Sequence, residues 1–170
     1  MPFELEAQKT KLTSVNPRAE LHGEDKKPAV DLKFEVAADN GVLANFAADL
    51  RSMLYALPDA QDDLVDPERL TKLKYPKMSA FKWELEGVGY TAEIDYGLGG
   101  DSNIVLDDIK VDGFRIQPME GGTVIVSFRA IAHPDEGDMG KLCGLIQRDV
   151  ELTLTAPPPQ TVEGLFKDAA

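Results

Sequence analysis

Cysteine, histidine and tryptophan are nearly missing from this chain, which has one Cys, two His and one Trp in 170 residues. A single thiol, Cys143, rules out an internal disulfide and fits a reducing compartment. One cysteine and two distant histidines, His22 and His133, offer no closed ligand set for zinc. They also leave no nucleophile–base–orienter set to name. His22 sits in the turn LHGED, His133 opens HPDEGD, and neither neighbours an elbow such as GxSxG. Cys143, between apolar residues in KLCGL, reads as a buried, inert thiol. The sequence therefore nominates no catalytic residue, cofactor or metal, and a non-enzymatic protein is expected.

Long apolar runs are missing too. No segment approaches the roughly 18 residues of a membrane span, and the opening MPFELEAQKTKL alternates rather than forming a signal-peptide core. A cytoplasmic protein with no membrane partner is expected. Positive charge is scarce: 18 Lys and Arg face 30 Asp and Glu, a formal net charge of −12. Such a balance favours solubility. Its sharper reading is an acidic face that imitates nucleic-acid phosphates and inhibits a host protein, with residues 59–68 and 135–138 as the acidic segments.

What is present reads as one domain. The composition is 43% hydrophobic and 28% charged, enough apolar material for a continuous core. Residues 1–156 form that domain, and 157–170 a tail led by three prolines, which suit a stiff spacer. Two-residue alternation dominates, the mark of half-buried strands. Phe3, Leu5 and Ala7 share one face; Leu32, Phe34 and Val36 share another. Phe81, Trp83 and Leu85 alternate with Lys82, Glu84 and Glu86. Tyr90, Ala92, Ile94 and Tyr96 follow the Gly87–Val88–Gly89 turn, so these two runs predict a hairpin. Strands at 104–116, broken near Asp112–Gly113 by a bulge or a second turn, and at 123–132 flank the turn Glu120–Gly121–Gly122. A last strand covers 150–155. Seven or eight strands with polar outer faces predict a mainly β fold, an antiparallel sandwich or open barrel. Trp83 and Phe128 both fall on inward faces and are expected in the main core.

One amphipathic helix is predicted over 42–57, capped by Asn40 and stopped by Pro58, with Leu43, Phe46, Leu50, Leu54 and Leu57 as its stripe. A shorter helix is predicted over 139–147. The loops DYGLGGDSN (95–103) and HPDEGD carry calcium-type oxygen ligands without the EF-hand pattern, and read as solvated turns. GLGG at 97–100 lacks the lysine and serine of a phosphate loop.

The segment RLTKLKYPKMSAFKW (69–83) stands out against this acidic background. It holds Arg69, Lys72, Lys74, Lys77 and Lys82 together with Tyr75, Phe81 and Trp83, and no carboxylate. Single-strand binders pair cations that follow phosphates with aromatics on which bases stack. Arg69, Lys72, Lys74, Tyr75, Lys77 and Lys82 are therefore the candidate nucleic-acid contacts; with Phe81 and Trp83 turned inward, Tyr75 is the aromatic left to stack. In the tail, Val162, Leu165 and Phe166 fall at i, i+3 and i+4. They predict an apolar face that needs a groove on a second copy or on a partner, the alternative being a disordered end.

The layout also resembles small proteins from the early, recombination-associated regions of phages and prophages. The matching residues are SVNPRAELHG (14–23), VDLK (30–33), EGGTV (120–124) and Phe128–Arg129. The resemblance implies an accessory protein acting near DNA replication, recombination or host defence, and it assigns no site residue. The leading expectation is thus binding of single-stranded DNA, or of the proteins that handle it. The alternatives are the acidic inhibitor, aimed at a host defence protein, and a structural virion component.

Overall fold

A computed structural model describes residues 2–59 and 69–159. The main strands are β1 (Leu5–His22), β2 (Asp25–Asp39), β5 (Phe81–Trp83), β6 (Gly87–Asp95), β7 (Ile104–Pro118), β8 (Thr123–Ala132) and β9 (Asp149–Thr155). Two short strands, β3 (Tyr55–Ala56) and β4 (Lys72–Leu73), pair separately. In the main sheet every pairing is antiparallel, in the order β7-β6-β9-β1-β2-β8, and β8 returns to β7. The sheet is a closed six-stranded barrel, with β5 extending its wall beside β7. Closure pairs the strands of the barrel on both sides, while β5 and the outer part of the β1–β2 hairpin each pair on one side alone.

Alternation places the core. Val30, Leu32, Phe34 and Val36 of β2 and Val124, Val126, Phe128 and Ala130 of β8 are all buried. Phe34 and Phe128 are cross-strand partners whose rings stack at 5.5 Å. Phe114 stacks on Phe128 at 5.7 Å, and Phe3 meets both edge-on at 5.1 and 5.4 Å. Each such side chain contributes about 1.5–3 kcal/mol through burial. In β1 the alternation is reset twice. Register shifts lie between Leu5 and Gln8 and between Leu12 and Ser14, and Ala7 has a positive φ of 43°. Ala7 is therefore exposed rather than in phase with Phe3 and Leu5, since each extra residue flips the side chains that follow.

The expected hairpin at Gly87–Gly89 does not form. β5 pairs with residues 114–116 of β7 and β6 with residues 104–111, so both run along the same edge of β7 as one interrupted strand. The glycines instead absorb a bulge: Gly89 takes φ +77° next to a register shift between Gly87 and Tyr90. Of the bulge or second turn expected near Asp112–Gly113 the structure has the bulge, with φ +66° at Gly113 and a shift between Asp112 and Arg115.

The predicted helix at 42–57 is broken into a 3-10 helix, Asn40–Asn45, and a single α turn, α1 (Leu50–Leu54), followed by β3. Tyr55 explains the break. Its hydroxyl donates to the carbonyls of Met119 and Thr123 at 2.9 and 3.0 Å and accepts from the Met119 amide at 3.0 Å, which holds the chain extended against the β7–β8 turn. Leu57, placed in the helical stripe, is 48% exposed. The cap is Asp39, which accepts from the Gly41 amide. Asn40 is buried instead: it donates to the Leu70 carbonyl at 2.6 Å and accepts from Arg51 Nε at 2.7 Å. These pieces, with β3 and β4, cap the barrel end that carries the β7–β8 turn.

At the other end α2 (Glu136–Gly144) begins three residues earlier than the sequence predicts, because Asp135 caps it by accepting from the Asp138 amide at 2.7 Å. Leu142 and Leu145 are buried. Cys143 is exposed, against expectation, since one residue past Leu142 turns the side chain off the packed face. Pro157–Pro159 are exposed, and Pro157 lies beside Gly89. Val162, Leu165 and Phe166 lie outside the described residues, as does the acidic segment at 60–68. Among the described residues no helix is long and apolar enough to cross a membrane.

Candidate nucleic-acid interface

The 69–83 segment runs from the cap onto the barrel wall, and the structure divides its cations in two. Lys72, on β4, has a partner at the surface: its ammonium meets both carboxylate oxygens of Asp59 at 2.6 and 2.7 Å. Lys74 donates to the Ser52 carbonyl, tying β4 to α1. Both contacts reach other parts of the cap, and both leave the lysines at the surface: the Lys72 side chain is 44% exposed and Lys74 is exposed. Arg69, Tyr75, Lys77 and Lys82 are exposed, with Tyr75 at 59%. Tyr75 and Lys77 sit in a turn closed by the Met78 amide donating to the Tyr75 carbonyl.

Lys82 acquires a partner that sequence reasoning missed. On β5 it lies directly across from Arg115 of β7, and both are exposed. Like charges directly opposite on a sheet face are destabilising. Among the described residues neither Lys82 nor Arg115, nor Arg69 nor Lys77, makes an ion pair. The signal for Arg115 was its outward phase in FRIQ, but only the β5–β7 register brings it to Lys82.

Beside this pair is a groove of about 500 Å³ lined by Lys82, Trp83, Glu84, Leu85, Glu86, Gly113, Phe114 and Arg115. Trp83 is half-buried at the margin of the core rather than inside it, with its ring edge-on to Phe46 at 6.1 Å and to Phe81 at 6.5 Å. Three residues of β5 are too few to cover an indole that faces the cap. Phe128, by contrast, is 2% exposed, as expected.

Of the two carboxylates that line the groove, Glu86 is ion-paired and opens a belt of charges across the barrel wall. Glu86 pairs with Lys110 at 3.2 Å, and Lys110 with Asp112 at 3.4 Å. Arg129 grips Asp112 and approaches Asp31 at 3.8 Å; Asp31 meets Arg18, Arg18 meets Glu20, and Glu20 meets His133 at 2.9 Å. This belt crosses four strands. Within it, hydrogen bonds from Arg129 hold the Asp112 carboxyl below its ordinary range despite burial. Those carboxylates serve the wall. Glu84 alone among the groove's acids is exposed with no ion pair among the described residues.

Among the described residues no group of three or more His, Cys, Asp or Glu is arranged to hold a metal ion. Asp135 and Asp138 of the HPDEGD loop serve α2, as cap and as partner of Lys141.

No protein-family model, curated protein or solved structure matches the chain. The functional reading therefore rests on the surface itself.

Proposed function

We propose that this protein is a non-enzymatic accessory protein that binds single-stranded nucleic acid on the barrel wall, through Lys82 and Arg115 with Lys77, Tyr75 and Arg69 along the approach. The observation that carries the reading is the Lys82–Arg115 pair. Two cations held opposite one another lower stability, and a phosphate between them turns that repulsion into attraction. The acidic remainder of the surface repels phosphates, which disfavours contact away from these cations. The resemblance to phage and prophage early-region proteins would set such an activity beside DNA replication or recombination.

The test is an anisotropy titration of a labelled, unstructured oligonucleotide across a range of salt. Counterion release lowers log K with log salt by about 0.7 per phosphate contact for a single strand, so four cations give a slope near −3. The double variant Lys82→Glu, Arg115→Glu should abolish binding without loss of thermal stability. Salt-independent affinity, or no affinity in the unmodified protein, would overturn the proposal.

A further inference from the structure

We infer that the groove beside Lys82 and Arg115 receives an unpaired nucleobase, which stacks on Trp83. This rests on the proposed binding of single strands and adds what the site recognises: a base lifted out of any duplex. A groove of about 500 Å³ lies within the usual range for small-ligand clefts, about 300–1,000 Å³. Its lining is divided by chemistry. Half-buried Trp83 and Leu85 give it apolar material, and Lys82 and Arg115 supply the cations, with exposed Glu84 beside them; Phe114, also on the lining, is only 2% exposed and belongs to the core. A nucleotide has the same division, an apolar ring face and an anionic phosphate. An occupant without negative charge would leave the Lys82–Arg115 repulsion in place; one without a flat apolar part would leave the indole wet.

The backbone of the groove favours the same occupant. Gly113, with φ +66°, leaves the wall between Asp112 and Phe114 without a side chain. Glu86 is held by Lys110, which reduces its repulsion of an incoming phosphate. Phe46 and Phe81 meet Trp83 edge-on, so they fix the indole without forming a parallel stack on it. Every base has a π face, so stacking here tolerates any sequence but requires single strands.

Trp83 is the chain's one tryptophan, so its emission reports the groove alone. Adding an unlabelled oligothymidylate to the full chain should change Trp83 emission in step with binding measured by anisotropy. Trp83→Leu should weaken binding by about 5- to 150-fold, the range of one lost base stack. Trp83→Phe, which keeps an aromatic face, should restore most of that loss while both variants melt cooperatively. Should the oligonucleotide bind with the expected salt slope while Trp83 emission stays constant, or should Trp83→Leu bind as well as Trp83→Phe, the stacking inference falls and the proposed binding stands. Absence of any oligonucleotide binding overturns both.

Discussion

Asp112 and Arg129 are locked together across β7 and β8. The guanidinium Nε and Nη2 donate to separate oxygens of the carboxylate at 2.7 and 2.9 Å. The Asp112 side chain is 6% exposed and that of Arg129 40%, so the pair is anchored on the acid side and hydrated on the other. Because hydrogen bonds from Arg129 lower the Asp112 pKa, its contribution is fully present above the ordinary value of 3.8 and is lost as pH falls through the lower folded value. Asp112→Asn should cost about 1–3 kcal/mol at neutral pH. It should also flatten the acid limb below pH 3.8. Urea midpoints measured through the acid range check both, and parallel curves would contradict the assignment.

Tyr55 should govern the alkaline limb. Burial raises its pKa above the ordinary 10.0, the Met119 hydrogen bond opposing in part, so stability is intact below that value and falls as pH rises past it. Tyr90 is raised in the same direction, chiefly by burial. Tyr55→Phe leaves carbonyls at the β7–β8 turn without their hydroxyl partner and should cost about 1–3 kcal/mol. The alkaline loss should shrink in the variant without vanishing, since Tyr90 remains. Thermal melts above neutral pH measure it.

Two neighbouring glycines separate backbone strain from crowding. Gly121 and Gly122 have φ of +92° and +91°. A Cβ at Gly121 meets nothing within 4 Å, whereas one at Gly122 meets Thr71 at 3.2 Å and the Asn40 amide at 3.4 Å. Gly121→Ala should cost about 1–2 kcal/mol from the left-handed backbone alone. Gly122→Ala should cost more, because it also wedges apart the cap. Equal losses by chemical denaturation would show that Asn40 and Thr71 yield freely.

Truncation should rank the aromatics by burial. Phe128→Ala should cost about 3–5 kcal/mol, as for a ring lost from a packed core. Trp83→Ala should cost clearly less, although the indole is larger. The reverse order would place Trp83 in the core and close the groove to any ligand.

The strands that were legible in the sequence are those whose alternation runs unbroken. β8 matches its expected span, 123–132, because each inward residue meets the same core without a bulge. β1 was legible only at its start, since two register shifts reset its phase and its outer part, residues 16–22, pairs on one side alone. That outer stretch also tolerates Pro17, as Pro28 is tolerated on β2, where no second strand needs an amide. The broken helix shows a different limit. Leu43, Leu50 and Leu54 are buried at helical spacing, yet a hydroxyl on Tyr55 finds its acceptors more than sixty positions away. At the candidate site the exposed cations were legible from local composition. Which of them meet a neighbour was not, because Asp59, Ser52 and Arg115, beside Lys72, Lys74 and Lys82, come from other elements.

The position of β9 between β1 and β6 sets an order of events in time. Leu5 waits for Leu154, and Ile94 for Leu152, so the barrel cannot close until its last strand exists. At about 5–20 residues per second of synthesis, the β1 edge stands open for on the order of ten seconds after it emerges. Over that interval β1 has β2 as a hairpin partner and nothing on its other side. A chain stopped before Asp149 would keep that edge for good, exposed to any extended segment that met it.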